Sequence, residues 1–362
     1  MRTATTRASI ASGLLALAGG AAAQSSLTLF GVVDTTIAHG SGSIASRTQL
    51  ASSGNQTSRI GLRGVEDLGG GLSAGFWLEG ALTTDDGQGS ASNSNNQPSG
   101  TGPAVAGRQG LAFGRRSTIS LIAPWGEIRA GRDYVAHYRN RLEVDPFQNV
   151  GVGTIQPQVG SLGGTTSTRV SNFVGYYLPP DVGGIFGFAQ YYLGENASDS
   201  AGKDDGSGAS VRLGYAAGPW NVSVATGRTR FARTATTGDI QSSNLGLQYR
   251  VGPANLLFGY FVDKVDSATP VTGRGASLGT TIAVGAGEIK AALSNYRSDA
   301  GTRPETKKLS LGYVHNLSKR TAVYTTYARL RNSGGATTAL NGSTTGPDRS
   351  SSGWDLGVRH NF

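Results

Sequence analysis

Cysteine is absent from these 362 residues, proline is held to 12 positions and histidine to four. Without cysteine there is no disulfide staple, so the fold must hold by hydrogen bonding and packing. The histidines, His39, His137, His315 and His360, stand apart. No Ser/His/Asp or metal-ligand spacing surrounds any of them, which leaves no catalytic residue and no metal site to nominate. The glycine clusters lie between alternating runs and do not precede a helix, so they do not read as phosphate cradles, and no cofactor is implied. Paired acids such as Asp85-Asp86 and Asp204-Asp205 read as loop solvation and not as calcium ligands. No apolar run approaches the ~18–20 residues of a spanning helix, which excludes a helical membrane bundle. No Lys/Arg block occurs either, so nucleic acid is not an expected partner. Charge spread this evenly is expected to point inward or into loops.

Hydrophobic residues make up only 37 % of the chain, and the mean hydropathy is −0.21. A conventional core for a chain this long would be thin. What is abundant is glycine, 56 residues, about twice the usual share of ~7 %. A barrel with a wet interior reconciles these facts, because only its outer face must be apolar. The first 23 residues read as a secretory leader: Met1-Arg2 and Arg7 are basic, Ile10 to Ala18 is apolar, and Ala21-Ala22-Ala23 offers a small-residue cleavage site before Gln24. Arg2 and Arg7 would leave with it, taking the net charge from +9 to +7.

From residue 24 to residue 362 the expected domain is one all-β barrel. Alternating runs of about ten residues are separated by gaps that are short and long in turn, the pattern of an up-and-down antiparallel membrane barrel. Sixteen runs are legible, from Leu27–Ala38 to 353–362, and Ser/Gly/Asn-rich segments such as those up to Asn55 and over 85–107 read as loops. The last run sets the phase: Trp354, Leu356, Val358, His360 and Phe362 share one face, and Asp355, Gly357, Arg359 and Asn361 the other. Apolar-out and charged-in inverts a soluble barrel, and a Lys or Arg facing the bilayer midplane would cost about 2–4 kcal/mol. Trp125, Tyr134, Tyr176, Tyr192, Trp220, Tyr249, Tyr313, Trp354 and Phe362 near strand ends suit interfacial girdles.

The stretch Gly114 to Asp133 is the most unusual. It is a hairpin with a Pro-Trp-Gly turn and four arginines, Arg115, Arg116, Arg129 and Arg132. It is expected to wall a water-filled channel. The longest interruption, Asp133 to Thr168, follows it, and a loop this long in a compact fold is usually functional.

The stretches LTLFGVVD (Leu27 to Asp34), SRIGLRGVEDLGGGL (Ser58 to Leu72), RRSTISL with GEIRAGRD (Arg115 to Asp133), RVSNFVGYY (Arg169 to Tyr177), LGYVHNLSKRT (Leu311 to Thr321) and the terminal GVRHNF carry a resemblance. The chain resembles the trimeric porins of Gram-negative bacteria, of the β-proteobacterial type and its anion-selective Comamonas/Delftia branch. The resemblance implies a transmembrane 16-stranded antiparallel barrel in the outer membrane, a homotrimer amid outer-membrane lipid and lipopolysaccharide, and small anions as permeating solutes. It implies a third loop, here about 133–168, folded into the pore. It also implies an arginine ladder opposite that loop, mapped onto Arg59, Arg115 and Arg169. Arg63, Arg116, Arg129 and Arg132 are further basic candidates, and Glu79, Glu143 and Asp145 are candidate facing acids.

Strand parity and resemblance agree for Arg59 and Arg169. They conflict at the hairpin, where parity turns Arg116 inward with Thr118 and Ser120 while the resemblance favours Arg115. A β-bulge near Ser117 would reconcile the two. A general diffusion channel with anion preference is the expected function. A channel selective for organic acids or sugars, and a structural or adhesive barrel with a plugged lumen, are the alternatives.

Overall fold

The computed structural model describes residues 26–89, 96 and 110–362. The expected leader, 1–23, and most of the 85–107 loop lie outside the described residues. The chain forms strands β1 (Ser26–Ser41), β2 (Arg47–Ser52), β3 (Arg59–Gly69), β4 (Leu72–Ala81), β5 (Arg116–Ala123), β6 (Gly126–Tyr134), β7 (Arg169–Tyr177), β8 (Ile185–Tyr192) and β9 (Gly208–Ala217). It continues through β10 (Trp220–Thr229), β11 (Asp239–Val251), β12 (Ala254–Asp266), β13 (Val271–Val284), β14 (Gly287–Ser298), β15 (Glu305–Asn316), β16 (Thr321–Ser333) and β17 (Ser351–Asn361). Every neighbouring pair is antiparallel, and β1 pairs with β17 from Val32↔Asn361 to Ser41↔Ser352, so the sheet closes on itself.

The closed wall has sixteen positions. The additional strand, β2, lies in the Ser/Gly/Asn-rich segment expected to be loop; it pairs with Thr35–Gly40 of β1, stacked end to end with β3, which pairs with Ser26–Val32. Its Arg-Thr-Gln-Leu-Ala-Ser sequence has no clean alternation, and the strand exists because β1 extends far enough to template it.

Burial inverts that of a water-soluble barrel. Ile119 is 66 % exposed and Leu309 51 %, whereas Asp34, Arg141 and Asp263 have no exposure. Polar side chains such as Ser210, Thr326 and Asp355 fill the inside. An apolar outer face of this extent is at home in a bilayer. Short glycine turns, including Gly218-Pro219 and Gly252-Pro253, occupy one rim, and the long connections the other.

Two expectations about orientation fail. Tyr134 and Tyr192 do not join a girdle. Both point inward, where Tyr192 is fully buried with Val135, Tyr138, Val170 and Phe173. Trp125, Tyr176, Trp220, Tyr313, Trp354 and Phe362 do stand on the outer face. Nor does all strand charge point inward or into loops: Arg274, Arg297, Lys307, Arg329 and Arg331 are exposed on the outer face near the long-loop rim.

Candidate functional site

After Tyr134 the chain leaves the wall and runs inside the barrel until Arg169, where Tyr134 and Arg169 pair again. The segment contains α1 (Ala136–Glu143), a one-turn α2 (Gln156–Val159) and a short 3₁₀ turn at Gly164–Thr166. Its outbound limb lies on β9–β11. Ala136 N–H donates to Ser210 Oγ, Asn140 Nδ2 to the Ser223 carbonyl and to Asn244 Oδ1 at 2.8 Å, and Asn244 Nδ2 to the His137 carbonyl.

Arg141 is fully buried and pairs with Asp263 of β12 at 3.2 Å, and Asp263 also accepts from Tyr296 and from Ser161 on the return limb. The apex is held by Val152 N–H on Asp355 Oδ2 at 2.7 Å and by Lys308 Nζ on the Thr154 carbonyl at 2.7 Å. Gly151, at φ +64°, sits so close that a Cβ there would lie 2.1 Å from the Gly54 carbonyl oxygen, a position that glycine alone fills without strain. Val144, Phe147 and Ile155 pack on Phe261 and Ala292. The loop therefore coats the inner faces of β9–β17 and leaves those of β3–β6 bare.

The bare wall carries the arginines. Glu79 of β4 sits between Arg59 and Arg115, with Oε1 3.8 Å and 2.5 Å from their Nε atoms. Arg115 also donates to Tyr134 Oη at 2.9 Å. Asp133 receives Arg129 at 2.8 Å and Arg116 at 3.4 Å, and Glu127 holds the other edge of Arg129 at 2.8 Å. Aromatic faces fix the planes: Arg116 lies 4.5 Å over Trp77, Arg129 3.9 Å over Tyr177 and Arg63 5.0 Å from Trp77. Such contacts orient a guanidinium while leaving its charge in place.

Between this wall and α1 opens a cavity of about 360 Å³ lined by Arg115, Arg116, Arg129, Arg139 and Arg212 against Glu79 and Asp133. A smaller one beside it, about 190 Å³, adds Arg59. Six arginines thus face two acids. Counting Glu127 and Glu143, which pair with Arg129 and Arg212, cations still exceed acids by two.

The structure resolves the hairpin conflict differently from expectation. No register shift occurs at Ser117: β4 and β5 pair without a break from Ser73↔Ile122 to Glu79↔Arg116. Arg116 faces inward by parity. Arg115 lies one residue outside the strand and reaches the same cavity from its end. The bulge is instead between Gly131 and Asp133, opposite β7. Gly131 adopts φ +125°, and a Cβ there would come within 2.1 Å of the Ser117 carbonyl oxygen.

Three candidates stand elsewhere. Arg132 extends to the Gly114 carbonyl and to Ser171 Oγ, away from the cavity. Arg169 braces the site from behind, donating to the Arg115 carbonyl at 2.8 Å with its plane 4.4 Å from the Tyr134 ring. Asp145 is 3 % exposed, and its carboxylate accepts the N–H groups of Phe147, Asn149 and Ile155. It shapes the apex and faces no ladder arginine. Glu143 does reach an arginine, Arg212 of β9.

Arg212, Arg139, Glu127 and Asp133 escaped the sequence reading. For Arg212 the parity of β9, with Ser210 and Gly208 on its face, was an available signal. For Arg139 there was none, since a two-turn helix shows no period.

Comparison with known proteins agrees with this geometry. The sequence matches the Gram-negative porin family over residues 8–335. It is 36 % identical to outer membrane porin protein 32 of Delftia acidovorans across 98 % of this chain and 99 % of that protein. The fold superposes on the anion-selective porin from Comamonas acidovorans with a TM-score of 0.82, at 33 % identity, covering 94 % of this chain and all of that one. At the level of fold alone it also resembles the trimer form of OmpT from Vibrio cholerae, with a TM-score of 0.62, 14 % identity and coverage of 93 % and 99 %. On the family match and on relatives this similar over nearly their whole length, the chain belongs to the Gram-negative porins, passive channels of the outer membrane and not enzymes.

Proposed function

We propose that this porin passes small hydrophilic solutes with a preference for anions, and that the arginine-rich wall facing the internal loop sets that preference. The observation that carries the reading is the excess of six arginines over two acids lining the two cavities between the bare wall and the internal loop. Replacing lipid by water lowers the barrier for any small polar solute. Fixed charge at the constriction then decides the sign of the ion that passes. Guanidiniums remain protonated across the working pH range, so the field does not titrate away. Low-dielectric walls concentrate it and raise the local anion concentration.

Arg59, Arg115, Arg116 and Arg129 are the pore-facing cations, with Arg139 and Arg212 completing the ring from the loop and the far side. Arg63 lies beside them over Trp77, and Arg169 positions Arg115. Glu79 and Asp133 hold the guanidiniums apart, spacing them as successive weak sites instead of one deep well. The name of the Comamonas relative, an anion-selective porin, supports the same sign. The likeness to a trimeric porin supports a homotrimer.

Reversal potential in a planar bilayer with a salt gradient tests the proposal. The expected value has the sign of anion preference, and a cation-preferring value would sink it. A channel selective for organic acids is favoured by one feature. The plane of Arg116, stacked on Trp77 and held through its Nε by Thr118 and Asp133, presents a fork suited to carboxylates. Its mark would be conductance that saturates at low concentrations of a dicarboxylate.

A further inference from the structure

A cavity of about 350 Å³ that shares no residue with the two arginine-lined ones lies at the rim bearing the long connections. The return limb of the internal loop contributes Gln156, Gly160 and Leu162 to it. The rim ends of β14 and β15 contribute Tyr296, Ser298 and Thr306, and the β16–β17 connection contributes its residues 335–338. No charged side chain lines it among the described residues. It therefore differs from the arginine wall in chemistry as well as in place.

Gln156 is 1 % exposed, and its Nε2 has no hydrogen-bond partner among the described residues. A buried donor left unpaired is destabilising, and an acceptor on a ligand would relieve it. Thr306 Oγ1 donates to Asn332 Oδ1 at 2.9 Å and lies 3.1 Å from Thr338 Oγ1. With the Thr306 proton committed, Thr338 is the donor of that second pair and keeps its own lone pairs. Asn332 Nδ2 in turn holds the Thr338 and Arg349 carbonyls at 2.8 Å each, which fixes the connection against the wall. The Tyr296 hydroxyl is engaged with Asp263 and the Leu162 N–H, so this residue offers the cavity its ring. Leu162, Pro304 and Ala336 add apolar surface.

We propose that this cavity is a holding site for a small neutral solute rich in hydroxyl groups, of monosaccharide size, at the mouth of the channel. An unpaired amide donor, a hydroxyl with open lone pairs and a ring, set in an uncharged hollow, call for a ligand that accepts, donates and has a C–H face. A sugar hydroxyl both donates and accepts. A carboxylate or inorganic anion only accepts, and its charge would be left without a partner there. The volume falls at the lower end of the ~300–1,000 Å³ usual for small-molecule sites, and the mixture of apolar lining with a few placed polar groups is typical of them. Anions gather at the opposite wall, while neutral solutes, which that field does not attract, gain a separate foothold. The site does not rest on the ion preference of the channel.

Full-length protein in a detergent without a sugar headgroup is titrated with D-glucose and with D-gluconate, and binding is read by saturation-transfer NMR on the ligand protons. Gln156→Met removes the amide at nearly constant volume. Thr337→Trp fills the cavity from its exposed edge. Glucose is expected to give a saturable signal with the wild type. Its half-saturation is expected to rise at least tenfold in Gln156→Met, and the signal to vanish in Thr337→Trp. Both variants are expected to keep the wild-type reversal potential in a salt gradient.

No saturable glucose signal from the wild type would leave the cavity to water and overturn the proposal. Gluconate that displaces glucose with equal or greater strength would hand the binding to the arginines and overturn it likewise. A glucose signal as strong in Thr337→Trp as in the wild type would put the sugar elsewhere in the lumen. Thr337 is exposed, so this last comparison decides the matter even if Gln156→Met fails to fold.

Discussion

Arg141 and Arg115 are each paired to one carboxylate inside the same barrel, Asp263 and Glu79. Neither member of the first pair has any side-chain exposure, while those of the second keep 13 % and 11 %. Arg141 is spent on clasping the internal loop to β12. Arg115 is left facing water. Lys308 repeats the first case, locked on the Thr154 carbonyl beside Asp145 and Asp355, and Arg129 the second, opening onto the cavity. The two walls thus use the same chemistry differently, and what separates them is burial. Where the loop lies against the wall, cations become rivets. Where it stands off, they become field. The loop creates the second class by choosing which side to lie on.

Unclasping the riveted side should have the largest effect. Arg141→Ala leaves Asp263 buried without its partner, at a cost of about 3–5 kcal/mol. The expected result is a lower unfolding temperature with larger and noisier single-channel conductance. The double change Arg141→Met, Asp263→Leu should recover much of the stability, and failure of both variants alike would mean the pair does not clasp the loop.

On the exposed side, Arg115→Glu should lower the anion-to-cation permeability ratio roughly tenfold, about 1.4 kcal/mol, while the fold stays intact. Arg359→Glu, on β17 and away from the cavity, should change the ratio far less. Equal effects would erase the distinction between the walls.

His137 gives a smaller and pH-dependent test. Burial, with Arg141 nearby, holds its imidazole down at about 3. The folded pKa lies below the unfolded value of about 6.5, so its contribution is whole above about pH 6.5 and is lost as pH falls toward 3. At pH 5.5 the loss is on the order of 1 kcal/mol. His137→Asn should flatten that part of the acid limb of a pH–stability curve without moving the reversal potential. The smallest effect is expected from Lys308→Met. Removing a charge compensated by Asp145 and Asp355 should leave ion preference within measurement error, although the lysine points into the barrel.

The strands were legible because lipid outside and water inside impose a strict period of two, and most runs begin and end within a few residues of the observed strands. What the period could not reveal lies where the chain leaves it. Arg115 escapes parity because it precedes its strand. Arg139, Asp145 and Arg169 depend on a loop whose path is set by contacts with β9–β17. Tyr134 and Tyr192 resemble girdle residues in sequence and were drawn inward by packing on Tyr138 and Phe173. The outward arginines were masked by the expectation that charge on a barrel turns away from lipid, which holds at the midplane and fails at the rim.

The seam between β1 and β17 joins residues roughly three hundred positions apart, and the backbone groups of Gly31 and Phe362 exchange hydrogen bonds at 3.0 and 3.1 Å. Closure therefore waits for nearly the whole chain. Any shorter piece keeps two raw sheet edges that invite pairing with other chains. This geometry favours an all-or-nothing assembly: truncated molecules should arrive at the membrane as substrates for proteases and aggregation, and not as leaky half-channels.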